Sequence, residues 1–371
     1  MKKLFLFCIV SLSILFLAVP KGVASELNFS VAPVIPENQK DKNKSYFDLK
    51  MESGKGQELT VTLKNGTDNK VTINTTINRA TTNLNGVVEY GSAKNQKDSS
   101  LVYNIEDFIE IKEPEVEIPA HSEKQLILNL KGIPEKFEGV LAGGLTFKEK
   151  QATEKTKDEE KQGLAIQNEY AYVVGIVLHG EKETIPSEIK LIGAEAAQVN
   201  ARNAINATLQ NPKAKYLNKL SVDAVVTKKG SQDVLYSSKK ENMQMAPNSH
   251  FDYPISLEGE ALKPGNYTVT MKINSYDDHW EVTKDFSINK EQADAFNKND
   301  VSIKEDSTWV YLVIGLSLLL LIVAIVVIIV LQKKKKKKER IRQEKLRRRK
   351  MAMQRKKRAE KNSLNKKVKK D

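Results

Sequence analysis

The sequence predicts an all-β protein: two tandem immunoglobulin-like β-sandwich domains, followed by one transmembrane helix and a basic cytoplasmic tail. Three observations carry this. Short apolar runs with two-residue alternation, separated by Asn, Gly and Pro, recur between Glu58 and Ile288. The later runs repeat the earlier ones. From Val310 to Leu331, 18 of 22 residues are Val, Ile or Leu, and none is charged. As a helix that stretch is about 33 Å long, enough to cross a hydrocarbon core of about 30 Å.

Met1–Ser25 opens with Lys2 and Lys3, continues through an apolar Leu4–Val19, and ends in Gly22-Val23-Ala24-Ser25. This is the pattern of a secretory signal peptide, with cleavage after Ala24 or Ser25. At the other end, Trp309 and Tyr311 stand where interfacial aromatic anchors are expected, and Lys333–Lys338 forms a six-lysine stop-transfer signal. The positive-inside rule places the C-terminus in the cytoplasm and Glu26–Asp306 outside.

The net charge of +13 conceals two opposite parts. Gln332–Asp371 carries 22 Lys/Arg against four Asp/Glu, whereas Glu26–Leu331 holds 35 basic and 43 acidic residues, a net of −8. The basic balance therefore belongs to a juxtamembrane tail and does not indicate a nucleic-acid partner. Such a tail either attracts anionic headgroups, at about 1 kcal/mol per close cation, or simply fixes topology. The only cysteine is Cys8, inside the signal peptide. An exported chain with no thiol and much Lys and Asn suits a low-GC Gram-positive bacterium. No LPxTG motif precedes the span, so the protein is expected to stay in the membrane.

Along the exported part, strands are predicted at Glu58–Lys64, Lys70–Ile77, Gly86–Tyr90, Glu115–Ile118, Lys124–Leu130 and Val140–Phe147. Asn104–Ile111 is ambiguous and suits a helical turn as well. Gly143-Gly144 inside its strand signals a bulge or a close backbone approach. The charged stretch 148–162 suits a mobile hairpin loop, because Glu169–Leu178 beyond it can pair antiparallel with Val140–Phe147; an interdomain linker is the alternative. The hairpin choice puts the first sandwich at 26–181 and the second at 182–289, with a polar stalk at 290–308, the span at 309–331 and the tail at 332–371. Ala204–Gln210 before Asn211-Pro212 repeats Leu59–Lys64 before Asn65-Gly66, and Met245–Ile273 repeats Ile118–Phe147.

Catalytic and metal signatures are missing. The four histidines, His121, His179, His250 and His279, have no HExxH or paired spacing, and His121 and His250 fall at matching places in the two repeats. Asp277-Asp278-His279-Trp280 suits a hairpin tip better than a metal corner. No GxSxG or phosphate loop occurs. The expectation is a binding protein with no enzyme activity, no metal and no cofactor. For ligand contact the polar segments Pro36, Glu37, Asn38, Gln39 and Thr82, Asn83, Asn85, Tyr90 are candidates, since a polar polymer needs many hydrogen-bond partners and a stacking face. Asn248, Phe251, Tyr253, Tyr276 and Trp280 are candidates in the second half, because aromatic faces suit sugar or polypeptide.

Particular runs resemble the WxL-interacting proteins. In the first half these are FSVAPVIPENQ (Phe29–Gln39), YFDL (Tyr46–Leu49), ATTNLNGVVEY (Ala80–Tyr90) and GVLAGGLTF (Gly139–Phe147). In the second half they are NEYAYVVGIVL (Asn168–Leu178), LQNPKAKYLNKL (Leu209–Leu220), MAPNSHFDYPI (Met245–Ile255) and LKPGNYTV (Leu262–Val269). The resemblance implies a Gram-positive cell-surface adaptor whose first domain binds peptidoglycan and whose second binds a host ligand, and which holds WxL-domain proteins at the surface. The competing expectation is an extracytoplasmic assembly chaperone that lends a strand to exported subunits.

Overall fold

The computed structural model describes residues 28–91, 96–134, 137–150, 170–182, 184–303 and 308–367. The signal peptide and most of the 148–162 stretch lie outside these residues. The described residues up to 303 form one compact unit, and those from 308 to 367 form another.

The first sandwich packs two sheets face to face. One has the order β1 (Phe29–Val34), β3 (Gln57–Asn65), β9 (Glu123–Leu130), β7 (Ile109–Ile111). The other has the order β2 (Phe47–Lys50), β11 (Ala171–His179), β10 (Val140–Glu149), β4 (Val71–Arg79), β8 (Glu115–Ile118). Alternation decides which face is inside: Leu59, Val61 and Leu63 of β3 are buried, while Glu58, Thr60 and Thr62 point away. Each such apolar side chain contributes about 1.5–3 kcal/mol on burial. The ambiguous segment resolves into a 3₁₀ turn at Ile105–Asp107, capped by Asn104, followed by β7.

β10 is nearly apolar throughout because it is central. On one side it pairs antiparallel with β4 and on the other with β11, Val140 opposite His179. β11 in turn pairs in parallel with β2. Gly143 lies against Asn78 and Gly144 against the Tyr90 side chain, so the glycine pair serves a close approach.

The second sandwich sets the sheet β12 (Lys190–Val199), β13 (Arg202–Asn211), β16 (Ser249–Ser256) against β15 (Val234–Met245), β14 (Leu217–Lys228), β17 (Gly265–Ser275), β18 (Asp278–Ile288). Its core includes Leu209, Leu220, Val222, Val226, Val269 and Met271. The tip between β17 and β18 is Tyr276-Asp277, with Asp278, His279 and Trp280 already in β18.

Both sandwiches contain the same buried corner. Asn65 ends β3, and its amide donates to the backbone oxygens of Asn69 (2.7 Å), Ile118 (3.1 Å) and Pro119 (3.0 Å) while Oδ1 accepts the Thr67 N–H (2.8 Å). Asn211 ends β13 and donates to Lys215 O (2.7 Å) and Ala246 O (2.9 Å), accepting from Lys213 N–H (3.2 Å). Ser122 and Ser249 each donate 2.8 Å bonds to the turn carbonyl three residues back. The left-handed residue of the corner is His121 (φ 53°) in the first and Asn248 (φ 45°) in the second. The repeat is real, but its histidine match is not: His121 corresponds to Asn248, and His250 lies in β16.

The stalk expected at 290–308 is replaced over most of its length by a docked helix, α1 (Lys290–Asn299). Asn289 caps it, accepting from Gln292 N–H at 2.7 Å. Ala293 is buried and Phe296 packs on the second core. Asn297 brackets Leu262, accepting its N–H (2.7 Å) and donating to its carbonyl (2.9 Å). Polar composition concealed this, since only one narrow stripe of α1 is apolar.

By itself, the C-terminal unit is a single helix, α2 (Thr308–Lys367). Its Trp309–Leu331 portion is apolar on every side and exposed, a surface that water does not stabilise and a bilayer does.

Replacing Asn65 or Asn211 with alanine strands the buried carbonyls each one satisfies. Each change is expected to cost about 2–4 kcal/mol, read as a lower urea midpoint for the ectodomain transition.

Candidate functional site

The two sandwiches meet along a seam that is crossed by side-chain hydrogen bonds. The hairpin β5 (Thr81–Thr82) to β6 (Val88–Glu89) leaves the first sandwich and lies on the second. Thr82 is buried there: its Oγ1 accepts the Ala246 N–H (2.9 Å) and shares a 3.2 Å hydrogen bond with Ser249 Oγ. Gly86 adopts φ 70° against the Met243 side chain and accepts from Gln244 N–H (2.7 Å). Gly139, at φ 84°, turns beside Ala214, whose carbonyl accepts the Val140 N–H (2.7 Å). Ala80, Ala142 and Ala246 form the small dry centre, small enough for the backbones to approach.

Asp98 is the seam's electrostatic fixture. Its side chain is 2% exposed, yet it accepts from His250 Nδ1 (2.7 Å) and Gln210 Nε2 (2.8 Å) of the other sandwich. Locally it holds the Ser100 N–H (2.8 Å) and hydroxyl (2.6 Å). Burial alone would raise its pKa, but the Ser100, His250 and Gln210 hydrogen bonds outweigh burial and hold it below the ordinary carboxylate value. Next to it, Asn248 donates to Ser100 O (3.0 Å) and Pro212 O (3.0 Å).

Beside the seam opens a cleft of about 310 Å³ with walls from both sandwiches. Asp48 stands on the β2 side, bonded to Lys44 Nζ (2.7 Å) and His179 Nε2 (2.6 Å). Burial pushes the Asp48 pKa up, but these two partners together prevail and lower it. Lys44 is held charged, its pKa raised by Asp48 and by Tyr46, whose ring centroid lies 5.3 Å from the ammonium. Across the cleft, the Tyr90 and Tyr216 hydroxyls are 3.1 Å apart, and burial raises both of their pKa values. Asn218 and Gln244 line the second-sandwich wall and are joined by a 2.9 Å bond from Gln244 Nε2 to Asn218 Oδ1.

Of the sequence candidates, Tyr90 alone lines the cleft. Pro36–Gln39 is a tight turn (Gln39 N–H to Pro36 O, 3.2 Å) in which Asn38 donates to Lys50 O. Gln39 is buried and supports the cleft from behind, accepting the Asp48 N–H (3.0 Å) and donating to Tyr46 O (2.8 Å). Pro36 is half-buried and Glu37 exposed. Asn83 spends its Oδ1 on the Asn85 and Val87 N–H groups, and Asn85 is exposed at the hairpin tip. Thr82 and Asn248 are taken up by the seam. Phe251 and Tyr253 are corrected outright: they are 2% and 0% exposed, inward-facing positions of β16, with Tyr253 OH bonded to Ser238 Oγ. Trp280 packs on the second core, whereas Tyr276 stays 62% exposed under the Lys219 ammonium. Sequence reasoning missed Lys44, Asp48, His179, Tyr216, Asn218 and Gln244.

These features define a class: a two-sandwich all-β protein whose domains share a polar junction, continued by a helix long enough to cross a membrane. Residues 29–149 match the peptidoglycan-binding domain of WxL-interacting proteins, and residues 161–298 match the host-binding domain of the same proteins. The chain belongs to the WxL-interacting protein family. The second match begins ahead of β11, a strand whose hydrogen bonds lie in the first sandwich. No curated protein matches significantly. Among solved structures, the class 5 fimbriae chaperone CfaA is similar at 14% identity over 70% of this chain and 98% of its own, with a TM-score of 0.28. The E. coli chaperone DraB (12%, 70% and 97%, TM-score 0.26) and the Pseudomonas aeruginosa CupB2 chaperone (12%, 62% and 93%, TM-score 0.24) are likewise remote. Likeness this slight bears on neither partner nor mechanism.

Because the Asp98 pKa is lower folded than unfolded, its contribution is present above about pH 4, the unfolded value, and lost as pH falls through the folded value. The seam is therefore expected to loosen in acid, read as new protease cleavage near residues 80–100. Asp98→Asn should lower stability by about 1–3 kcal/mol at pH 7 and blunt that acid step.

Proposed function

We propose that this chain is a membrane-held cell-surface adaptor: α2 spans the membrane, the two sandwiches face the wall, and the Lys/Arg-rich end of α2 lies in the cytoplasm. In this role the ectodomain binds peptidoglycan and tethers WxL-domain proteins, with a host ligand as a further partner of the second sandwich. The supporting observation is the succession of two matched binding domains over 29–298 directly before a membrane-length apolar helix. The charge distribution agrees, since the cationic run follows the span while the preceding part is acidic overall. Both matched domains are binding domains, which favours recognition over turnover.

The test uses the full chain in detergent, sedimented with purified Gram-positive sacculi and separately mixed with a WxL-domain protein. Co-sedimentation and co-elution are expected. A chain that stays in the supernatant and captures no WxL-domain protein would sink the adaptor role. Protease added to spheroplasts should remove the sandwiches and spare an antibody epitope placed after 367; the reverse pattern would invert the topology.

A further inference from the structure

We propose that the cleft at the seam is a composite sugar site that takes one uncharged N-acetylated hexosamine unit of a glycan, and that neither sandwich provides it alone. The inference rests on the wall-binding role above and deepens it by naming the unit recognised and the place. Five of the lining side chains, Lys44, Tyr46, Asp48, Tyr90 and His179, come from the first sandwich, while Tyr216, Asn218 and Gln244 come from the second. A volume of about 310 Å³ lies at the small end of ligand sites, fit for one ring with its substituents and too small for a folded partner.

Charge narrows the ligand. The one lysine lining the cleft, Lys44, is already held by Asp48 at 2.7 Å, and Asp48 is held on its other side by His179. An anionic ligand would have to separate that pair or sit beside the Asp48 carboxylate. A neutral ligand meets no such opposition.

Hydrogen-bonding capacity narrows it further. The Tyr90 and Tyr216 hydroxyls share one hydrogen bond, so one O–H hydrogen and free lone pairs remain to serve a sugar hydroxyl. Burial keeps both phenols protonated and therefore able to donate. On the second-sandwich wall, which Tyr216 also lines, Asn218 and Gln244 spend one donor and one acceptor on each other. That leaves the Asn218 NH₂ and the Gln244 Oε1, which are complementary to the carbonyl and N–H of an acetamido group. Val88, Val140 and Val177 supply apolar wall for the C–H face of a pyranose ring. Hydroxyl, acetamide and apolar ring face are the three surfaces of an N-acetylated hexosamine.

The seam makes the site conditional. Tyr90 ends the hairpin that Thr82 fastens to Ala246 and Ser249, and Val140 is tied to Ala214, so separating the sandwiches pulls the walls apart. The test is calorimetry on the full chain in detergent with tetra-N-acetylchitotetraose, and with cellotetraose and sodium phosphate as comparison probes. Saturable binding of the acetylated probe is expected, with cellotetraose and phosphate at least about tenfold weaker. Tyr216→Phe and Gln244→Ala should each weaken it about five- to tenfold. Tyr216→Phe also removes a seam hydrogen bond, whereas Gln244→Ala, at an exposed position, should leave the melting midpoint in place and so separates loss of ligand contact from loosening of the seam. No saturable binding by the wild type, equal binding of cellotetraose or phosphate, or indifference to both substitutions overturns the assignment. Sacculus sedimentation separates the two levels. If wild type and both variants sediment equally, wall binding stands and the cleft falls. If the wild type binds the saccharide through the cleft but ignores sacculi, the cleft stands and the wall-binding role falls.

Discussion

Asp98 is carried by the first sandwich, but two of its hydrogen-bond partners, Gln210 and His250, belong to the second. A carboxylate out of reach of water persists only where donors surround it, and here those donors come from both sandwiches. The docking of the sandwiches and the satisfaction of this charge are thus one event. Thr82, bonded to Ala246 and Ser249, and Tyr90, bonded to Tyr216, extend the same dependence along the junction. The cleft is a by-product of this docking, since its walls meet only where the junction brings them together.

Repetition supplied the means. Each sandwich ends an inner strand in a buried asparagine and turns past it through a left-handed residue. In the first, the left-handed residue is His121, which pairs with Asp68 at the exposed surface. In the second it is Asn248, whose side chain serves the neighbouring sandwich through Ser100. The same local geometry serves the surface of its own sandwich in one copy and the contact with the other sandwich in the second. Fold, in both, is fixed by the corner; the interface is fixed by what the corner residue does with its spare donors.

Much of the fold was legible in the sequence because its causes are local. Glu115–Ile118 is a strand over the predicted residues, and the alternation in β3 announces its buried face. The same period was available in Ser249–Ser256, where Phe251, Tyr253 and Ile255 recur every second residue; reading two of them as exposed faces ignored it. The helix at 290 was hidden for another reason. Ala293 and Phe296 are a single turn of apolar contact in a polar segment, too little for periodicity to register. The cleft was illegible in kind. His179 and Asp48 are 131 residues apart, and Tyr90 and Tyr216 are separated by 126, so nothing in either neighbourhood marks them as partners.

The first sandwich has a strand that arrives late. β11, at Ala171–His179, fills the gap between β10 and β2, and the β2–β11 pairing is parallel across more than a hundred residues of chain. A chain delivered N-terminus first therefore holds an unfinished sheet, with the hydrogen-bonding edges of Phe47–Lys50 and Val140–Glu149 both open, until His179 has emerged. Contacts this distant in sequence form slowly, and open edges invite pairing with other strands. Completion of the first sandwich is in this sense timed by a strand that lies beyond the charged run after β10.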